Sequence, residues 1–348
     1  MQNRHYKVWP KGRPYELSPL KTSVFENLVI SAARYPEHPA IIYYDNPITY
    51  QALLAEVQSV SAFLRSRLKV GRNERVLLYM QNCPQFIIAY YGILGANAVV
   101  VPVNPMSRAA ELEHVAEDTG AVAIIAGQEL AEHALPLIGR NALRDLIHVN
   151  YRDYISRTTD LELPDEVTTA PRQFGTEAAH SWSDATGHEG EPPQTRNKGS
   201  DWCVIPYSSG TTGRPKGCLH THDTVNSVIN AYANWNPIPP NAPILGSLPL
   251  FHVTGMQNSM NTPLFTGATI VLMTRWNKDV AGRLIERYRV AQWRAITTMI
   301  IDFISNPKIG DYDLSSLLSI GGGGAQLPYA VSEKLGALTG LNVTEGYG

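Results

Sequence analysis

The most informative stretch of this sequence is Tyr207-Ser208-Ser209-Gly210-Thr211-Thr212-Gly213-Arg214-Pro215-Lys216-Gly217, which directly follows a predicted strand. Its eleven residues include four serine or threonine hydroxyls, three glycines and one lysine. Glycine lets the backbone approach a ligand and turn its N–H groups inward, hydroxyls add donors, and lysine adds a positive charge. The stretch is therefore typical of a loop that holds phosphate groups.

Composition alone leaves a second interpretation open, a flexible Ser/Gly turn that joins two strands. The stretch is not a Walker A loop, which requires Gly, four residues, and then Gly-Lys-Ser/Thr. Counting from Gly210, the sixth position is Pro215. This disfavours a P-loop kinase.

The sequence on either side alternates between short β-branched or aliphatic runs and segments of helical periodicity. This pattern is typical of parallel sheets covered by helices. We predict an α/β fold with two doubly wound, mostly parallel sheets and flanking helices, layered αβαβα. In the first part of the chain the predicted strands are 40–44, 75–80, 98–102 and 121–126, and the predicted helices are 50–68, 84–95 and 109–118.

The length of 348 residues suggests two packed sub-domains rather than one. We predict a first α/β sub-domain at 1–156, an irregular connector at 157–200 where polar residues dominate, and a second α/β sub-domain at 201–348 that carries the phosphate loop. In this last part the predicted strands are 202–207, 244–248, 268–273, 292–296 and 317–320, and the predicted helices are 224–235, 253–265, 280–288, 298–305 and 329–338.

Three further motifs follow the phosphate loop along the chain. They are Pro249-Leu250-Phe251-His252, Gly321-Gly322-Gly323-Gly324-Ala325-Gln326-Leu327-Pro328, and Glu345-Gly346-Tyr347-Gly348. Taken singly, His252 has an alternative interpretation as a hydrogen-bonded core residue, and the glycine run as a tight turn. The run is not a dinucleotide fingerprint, because the final glycine of that motif is replaced by Gln326 or Leu327 in either register.

Together these motifs resemble the adenylate-forming superfamily, which includes acyl-CoA synthetases, firefly-type luciferases and the adenylation domains of peptide synthetases. The 207–217 stretch matches the signature of that family at every fixed position, and the other three motifs come in the family's order. The resemblance covers essentially the whole chain and is weakest at 157–200. It implies the amino-terminal domain of an acyl-CoA synthetase.

The resemblance also implies a reaction and a set of site residues. A carboxylate would attack the α-phosphorus of ATP to give acyl-AMP and pyrophosphate, and coenzyme A would then displace AMP; Mg²⁺ is implied as cofactor. The implied catalytic residues are His252, Lys216 and Thr211. The implied nucleotide-binding residues are Ser208, Ser209, Gly210, Thr211, Thr212, Gly213 and Lys216 for the phosphates, and Gly323, Gly324, Ala325 and Tyr347 for adenine.

Apolar residues near His252 are candidates for the substrate tail. Met256, Met299 and Phe303, with His252 at the carboxylate, form the predicted substrate site, and ordinary core packing is the open alternative. No acidic residue is evident that would hold an amino group, which disfavours amino-acid substrates. Fatty acids rank first and aryl acids second.

The chain ends at Gly348, where family members continue with a Thr-Glu pair, a ribose-binding aspartate and a small carboxyl-terminal domain. We therefore expect a truncated chain with little or no ligase activity alone. Two alternatives remain: an enzyme that adenylates an acid and loads a carrier protein, and a nucleotide-binding fragment without catalysis.

Composition excludes several other functions. The 29 basic and 31 acidic residues give a net charge of -2, so we predict no nucleic-acid partner. Three scattered cysteines and one isolated His-x-His pair predict neither a disulfide framework nor a metal site. The polar start and the shortness of the longest apolar run, 86–101, predict no signal peptide and no transmembrane segment, and hence a cytoplasmic protein. A homodimer is left open.

Overall fold

The computed structural model describes residues 4–208 and 214–346. The predicted site residues Ser209, Gly210, Thr211, Thr212, Gly213 and Tyr347 lie outside these ranges. All structural statements below refer to the described ranges.

The strands are β1 (Pro39–Tyr43), β2 (Asn46–Thr49), β3 (Arg75–Tyr79), β4 (Val99–Val103), β5 (Ala123–Gly127), β6 (Asp145–Val149), β7 (Ala179–Ser181), β8 (Trp202–Val204), β9 (Tyr207–Ser208), β10 (Lys216–Gly217), β11 (His220–Thr221), β12 (Pro243–Gly246), β13 (Thr269–Leu272), β14 (Gln292–Ile296), β15 (Ser319–Gly323) and β16 (Thr344–Gly346).

The α-helices are α1 (Val24–Arg34), α2 (Tyr50–Ala62), α3 (Pro84–Gly95), α4 (Ala109–Thr119), α5 (Ala131–Ala134), α6 (Asp165–Thr168), α7 (Trp182–Thr186), α8 (His222–Trp235), α9 (Val253–Gly255), α10 (Thr262–Thr266), α11 (Lys278–Arg287), α12 (Thr297–Ile304) and α13 (Tyr329–Thr339). Segments of π-helix extend α2 over Phe63–Arg67 and join α9 to α10 over Met256–Asn261.

The strands form two seven-stranded sheets, which we call the first and the second sheet. The first has the order β11-β8-β4-β3-β5-β6-β7, with parallel pairing everywhere except between β11 and β8. The second has the order β16-β15-β14-β12-β13-β1-β2, and only β2 is antiparallel to its neighbour. The predicted architecture of two mostly parallel sheets with flanking helices is confirmed.

Helix α3 forms the centre of the main core, and all of its residues are buried. Its sequence is apolar around the whole circumference, which is typical of a helix enclosed by other elements. Pro84 occupies the first turn, where the missing N–H costs no hydrogen bond. A side chain at Gly92 would place its Cβ 2.7 Å from Val60 Cγ1, so this glycine allows α2 to pack closely against α3.

The two sheets exchange strands across the predicted sub-domain boundaries. β1 and β2, near the start of the chain, complete the second sheet: Ile41 pairs with Ile270 and Tyr43 with Leu272. β8 and β11, which follow residue 200, lie in the first sheet. The two sheets are therefore not made from two contiguous segments, and the division of the chain at 156 and 201 stays a prediction.

The segment 157–200 is mostly irregular but contributes one strand. β7 pairs in parallel with β6 at the edge of the first sheet, and α7 follows with a capping box at Ser181. Trp182 and Ala185 of α7 are buried against the main core. Buried apolar residues thus stabilise α7 within a segment whose composition is mostly polar.

Candidate functional site

Four parallel strands of the second sheet end on the same side of it, and this edge is formed by their carboxyl ends. β12, β14, β15 and β16 run parallel, and the order β16-β15-β14-β12 makes each one a direct neighbour of the next. Their carboxyl ends therefore lie side by side, where open α/β sheets commonly bind ligands. The segments that follow β12, β14 and β15 contain His252, Thr297 and Gly324, and β16 ends at Gly346.

The segment after β12, residues 247–252, is called the His252 loop here. Asn82, which follows β3 of the first sheet, makes two hydrogen bonds to the backbone of this loop. The Asn82 amide group donates to Leu248 O at 2.9 Å, and Asn82 Oδ1 accepts from the backbone N–H of Leu250 at 2.8 Å. Both bonds are buried, so one side chain fixes the loop of one sheet against the edge of the other.

His252 itself is the amino-terminal cap of α9 and is exposed. Its Nδ1 accepts a hydrogen bond from the backbone N–H of Thr254 at 3.2 Å. A ring nitrogen that accepts carries no proton, so the neutral imidazole has its proton on Nε2. His252 therefore presents an N–H donor to a ligand at this edge.

The glycine run ends β15 and turns away from the sheet at Gly324, which has φ +84°. Residues with a side chain rarely adopt this left-handed conformation. Two side chains from neighbouring strand ends hold the turn: Thr297 Oγ1 donates to Ala325 O at 2.7 Å, and Glu345 Oε1 accepts from the backbone N–H of Leu327 at 2.8 Å. The turn is thus fixed on both sides by polar contacts.

The backbone of the glycine run is open toward this edge. An added Cβ at Gly323 would meet nothing closer than Gly346 O at 3.4 Å, whereas one at Gly321 would fall on the Arg294 guanidinium. Gly324 and Ala325 are exposed. A flat, bare peptide surface therefore begins at Gly323, which suits the close approach of a planar ligand.

The signature stretch extends from a short hairpin next to the first sheet. β9 and β10 pair antiparallel, with Ser208 opposite Lys216 and Tyr207 opposite Gly217. We call these two strands the hairpin stem. Ser208 and Lys216 are exposed, and Ser208 Oγ donates to Lys216 O at 3.4 Å. The stem holds the ends of the segment 209–213, which lies outside the described residues.

The predicted tail-binding residues lie inside the main core. Met256 and Phe303 are fully buried, and 9% of Met299 is exposed. Phe303 contacts Trp293 edge-on, with ring centroids 5.1 Å apart, and Trp293 stacks on Trp276. Phe303 is therefore part of an aromatic cluster, and the core-packing alternative describes its surroundings in the structure.

Sequence reasoning missed three residues of this site. Asn82 has no local signal, because its partners are about 170 positions away. Thr297 directly follows β14, and the rule that loops at strand ends carry ligands would have indicated it. Glu345 belongs to a quoted motif but was given no role. All three position backbone segments on which predicted site residues lie.

The described residues provide neither a metal-binding cluster nor a membrane-spanning helix. They contain no group of three or more histidine, cysteine, aspartate or glutamate side chains that could hold a metal ion. Among them there is also no helix with the length and apolar character needed to cross a membrane.

Comparison with curated proteins gives a consistent set of relatives. The chain is 29% identical over 348 residues to a long-chain-fatty-acid–CoA ligase of Bacillus subtilis, a match that covers 98% of this chain and 62% of that protein. It is 27% identical over 347 residues to 4-coumarate-CoA ligase 2 of Narcissus pseudonarcissus, covering 95% of this chain and 56% of that protein. The chain thus spans somewhat less than two thirds of the length of these relatives.

Comparison with solved structures supports the fold. The amino-terminal domain of FACL13 from Mycobacterium tuberculosis matches with a TM-score of 0.77 at 24% identity, over 94% of this chain and 76% of that chain. A long-chain-fatty-acid-CoA ligase from Archaeoglobus fulgidus matches with a TM-score of 0.79 at 21% identity, over 96% of this chain and 64% of that chain. The family model described as AMP-binding enzyme matches residues 28–348, and the chain therefore belongs to the AMP-binding enzyme family.

Proposed function

We propose that the protein carrying this chain is an ATP-dependent carboxylic acid–CoA ligase that acts on fatty acids. In the first step an oxygen of the substrate carboxylate bonds to the α-phosphorus of ATP, and pyrophosphate leaves. In the second step the CoA sulfur bonds to the acyl carbon, loses its proton, and AMP leaves. The AMP-binding family and the long-chain-fatty-acid–CoA ligases among the relatives support this assignment.

One observation carries the proposal. The residues that the family resemblance relates to the carboxylate and to adenine come at or after the carboxyl ends of β12, β15 and β16 in the sequence, and these strands lie within one run of parallel strands. A nucleotide whose base lies on the Gly323–Ala325 backbone would have its α-phosphate near the middle of this edge. His252, which comes six residues after the end of β12, is the residue we propose for that position.

In this proposal His252 orients the attacking group. Its Nε2–H is the available donor, because Nδ1 is occupied by the Thr254 N–H. A donor fixed in this way holds one carboxylate oxygen and leaves the other free to attack phosphorus. Prearranged donors of this kind contribute most where negative charge develops.

Adenine and the polyphosphate would be bound by different parts of the chain. Gly323, Gly324 and Ala325 would supply a bare backbone surface for the base, with Tyr347 stacking on it. Ser208, Lys216 and the segment 209–213, including Thr211, would hold the β- and γ-phosphates and help pyrophosphate leave. Lysine suits this role because its ammonium group is a compact point charge.

Mg²⁺ is the cofactor that the family resemblance implies, and it would enter bound to the phosphates of ATP. Bound to the nucleotide, Mg²⁺ would neutralise phosphate charge. We assign no step of the reaction to it.

The preference for fatty acids rests on the residues beyond His252. Met256, four residues after His252 in the sequence, and Met299 are unbranched and adaptable side chains that can rearrange around an aliphatic tail. We also propose a cytoplasmic location, since the three cysteines are free thiols and the substrates are ATP and CoA. A homodimer is left open here, as it is by the sequence.

The test is a coupled assay of the purified protein that carries this chain. Pyrophosphate release should depend on ATP and on a carboxylic acid, with fatty acids preferred over aryl acids, and mass spectrometry should detect the acyl-CoA. His252→Ala should lower turnover by about 100-fold, whereas His133→Ala on α5, outside this edge, should leave turnover unchanged. Acyl-AMP without acyl-CoA would favour a carrier-protein acceptor, and no acid-dependent pyrophosphate release would contradict the assignment.

A further inference from the structure

The hairpin stem rests on α4, a helix outside all of the sequence motifs. Ile205, just before the stem, and Tyr207 in β9 pack against a hydrophobic cluster that includes Leu112 and Val115 of α4. α4 connects β4 to β5, and β4 pairs with β8, the strand that leads into the stem. The stem and α4 are therefore held in a defined relation by the first sheet.

Two side chains of α4 make polar contacts at the stem. In the entering strand β9, Tyr207 donates its hydroxyl hydrogen to Asp118 Oδ2 at 2.5 Å. At Pro215, immediately before the returning strand β10, the carbonyl oxygen lies 3.2 Å from His114 Nε2, so the imidazole donates to that carbonyl. His114 and Asp118 are four residues apart and share one face of α4.

The rings add a third contact. His114 and Tyr207 meet edge to face, with centroids 6.4 Å apart and planes at 82°. Burial and the Asp118 carboxylate raise the pKa of Tyr207, so its hydroxyl keeps its proton and remains a donor. Tyr207, His114 and Asp118 thus form a connected cluster beneath the stem.

The stem needs such support because it is short. Only two residue pairs align β9 with β10, and isolated two-stranded hairpins are at best marginally stable in water. Pro215 immediately precedes Lys216, so a bond to the Pro215 carbonyl also fixes the peptide plane from which the lysine extends. Ser208 follows Tyr207 in the same way on the other strand.

We propose that His114 and Asp118 are positioning residues that hold the two strands of the hairpin stem and thereby keep Ser208 and Lys216 aligned for the phosphates of a nucleotide. The identity of that ligand rests on the proposed function. The tether itself rests on the contacts of His114 and Asp118 given above.

The experiment compares two variants that break the contacts with two that keep them. His114→Phe retains an aromatic ring but loses the N–H donor, and Asp118→Ala loses the acceptor. His114→Gln retains an N–H at a similar reach, and Asp118→Asn retains a carbonyl oxygen. Glu117→Ala is the matched control, because Glu117 lies on the same helix but accepts from Asn141 instead of the stem.

The first readout is hydrogen exchange of the ligand-free protein, measured by mass spectrometry on peptides that cover 205–218. His114→Phe and Asp118→Ala should each speed up exchange in these peptides by about fivefold, the factor for losing one hydrogen bond. Exchange in α3 and the melting temperature should stay unchanged, which excludes a general loss of structure. The Gln, Asn and Glu117→Ala variants should match the wild type.

The second readout is the Kd of ATP, measured by calorimetry on the same proteins. The two disruptive variants should bind ATP about fivefold more weakly, and the conservative variants should restore the wild-type value. Unchanged exchange at 205–218 would overturn the tether, and faster exchange with unchanged ATP affinity would overturn its positioning role. If the wild type binds no ATP, the proposed function fails, and faster exchange in the variants would still support the tether.

Discussion

Lowering the pH from about 7 to about 4.5 is expected to weaken the fold at His222, the first residue of α8. This side chain is fully buried, and its Nδ1 accepts the backbone N–H of Val24 at 3.2 Å. Its Nε2 is buried without a hydrogen-bond partner in the described structure. A second proton would place an N–H on Nδ1 directly against the Val24 N–H, so the contact between α8 and the start of α1 would be lost.

The expected magnitude follows from the pKa of His222. Burial lowers this pKa from 6.5 to about 4, although Asp201, Glu26 and Asp223 act in the opposite direction. The unfolded chain binds the proton below about 6.5 and the folded chain only below about 4. Stability from this group is therefore fully present above about pH 6.5 and is lost as the pH falls toward 4. This pKa shift corresponds to a contribution of about 3 kcal/mol to the free energy of unfolding. Most of that contribution is lost by about pH 4.5.

The assay is urea unfolding of the wild type and of His222→Asn at several pH values between about 4.5 and 7. Asparagine keeps an oxygen acceptor for Val24 and does not titrate, so it changes stability by an amount that is independent of pH. On acidification, the free energy of unfolding of the wild type should fall by about 2 to 3 kcal/mol more than that of the variant. This difference isolates His222, because carboxylates that titrate elsewhere affect both proteins equally.

A replacement of the exposed His5 by asparagine controls for the loss of a histidine elsewhere and should follow the wild-type curve. Parallel pH curves for the wild type and His222→Asn would refute the reasoning, since they would mean that His222 binds its proton equally well in both states.

Three further outcomes are expected at the site. Asn82→Ala should destabilise the protein by about 2 to 3 kcal/mol, because two buried hydrogen bonds to the His252 loop are lost. Thermal unfolding measures this change, and a destabilisation below about 0.5 kcal/mol would contradict the prediction. Thr297→Val should weaken ATP binding by about fivefold through the lost bond to Ala325, while Thr297→Ser retains the bond, as calorimetry would show. Gly324→Ala should cost about 1 to 2 kcal/mol because of its positive φ, whereas Gly310→Ala, at ordinary φ with nothing within 4 Å of the new Cβ, should cost far less in the same unfolding assay.

The helices and strands best predicted from the sequence are those whose first and last residues are marked by the local residue pattern. The predicted helix 84–95 coincides with α3, since Pro84 marks its start and the apolar run requires burial. The predicted strand 292–296 has the same bounds as β14. Helix 50–68 was predicted as one regular helix, but its last turn is π-helical, a difference that periodicity over so few residues does not reveal.

Pairing between distant segments is the part that could not be predicted. Nothing within residues 39–49 indicates that they pair with β13, because the partner is chosen by the whole set of strands rather than by local pattern. The role of Asn82 was also unpredictable, because its amide bonds only to backbone groups of a loop that follows a strand of the other sheet. His252 and the glycine run, by contrast, were found from short motifs, and the order of the parallel strands explains why motifs far apart in sequence share one edge.

The exchange of strands between the two sheets has a consequence for biosynthesis. When β1 leaves the ribosome, the β13 strand that must flank it has not yet been translated, and β1 has only the β2 hairpin as a partner. Its apolar residues, including Ile41 and Tyr43, have no parallel neighbour until residues 269–272 have been translated. Nascent chains that end before about residue 270 should therefore depend on chaperones that shield exposed strands.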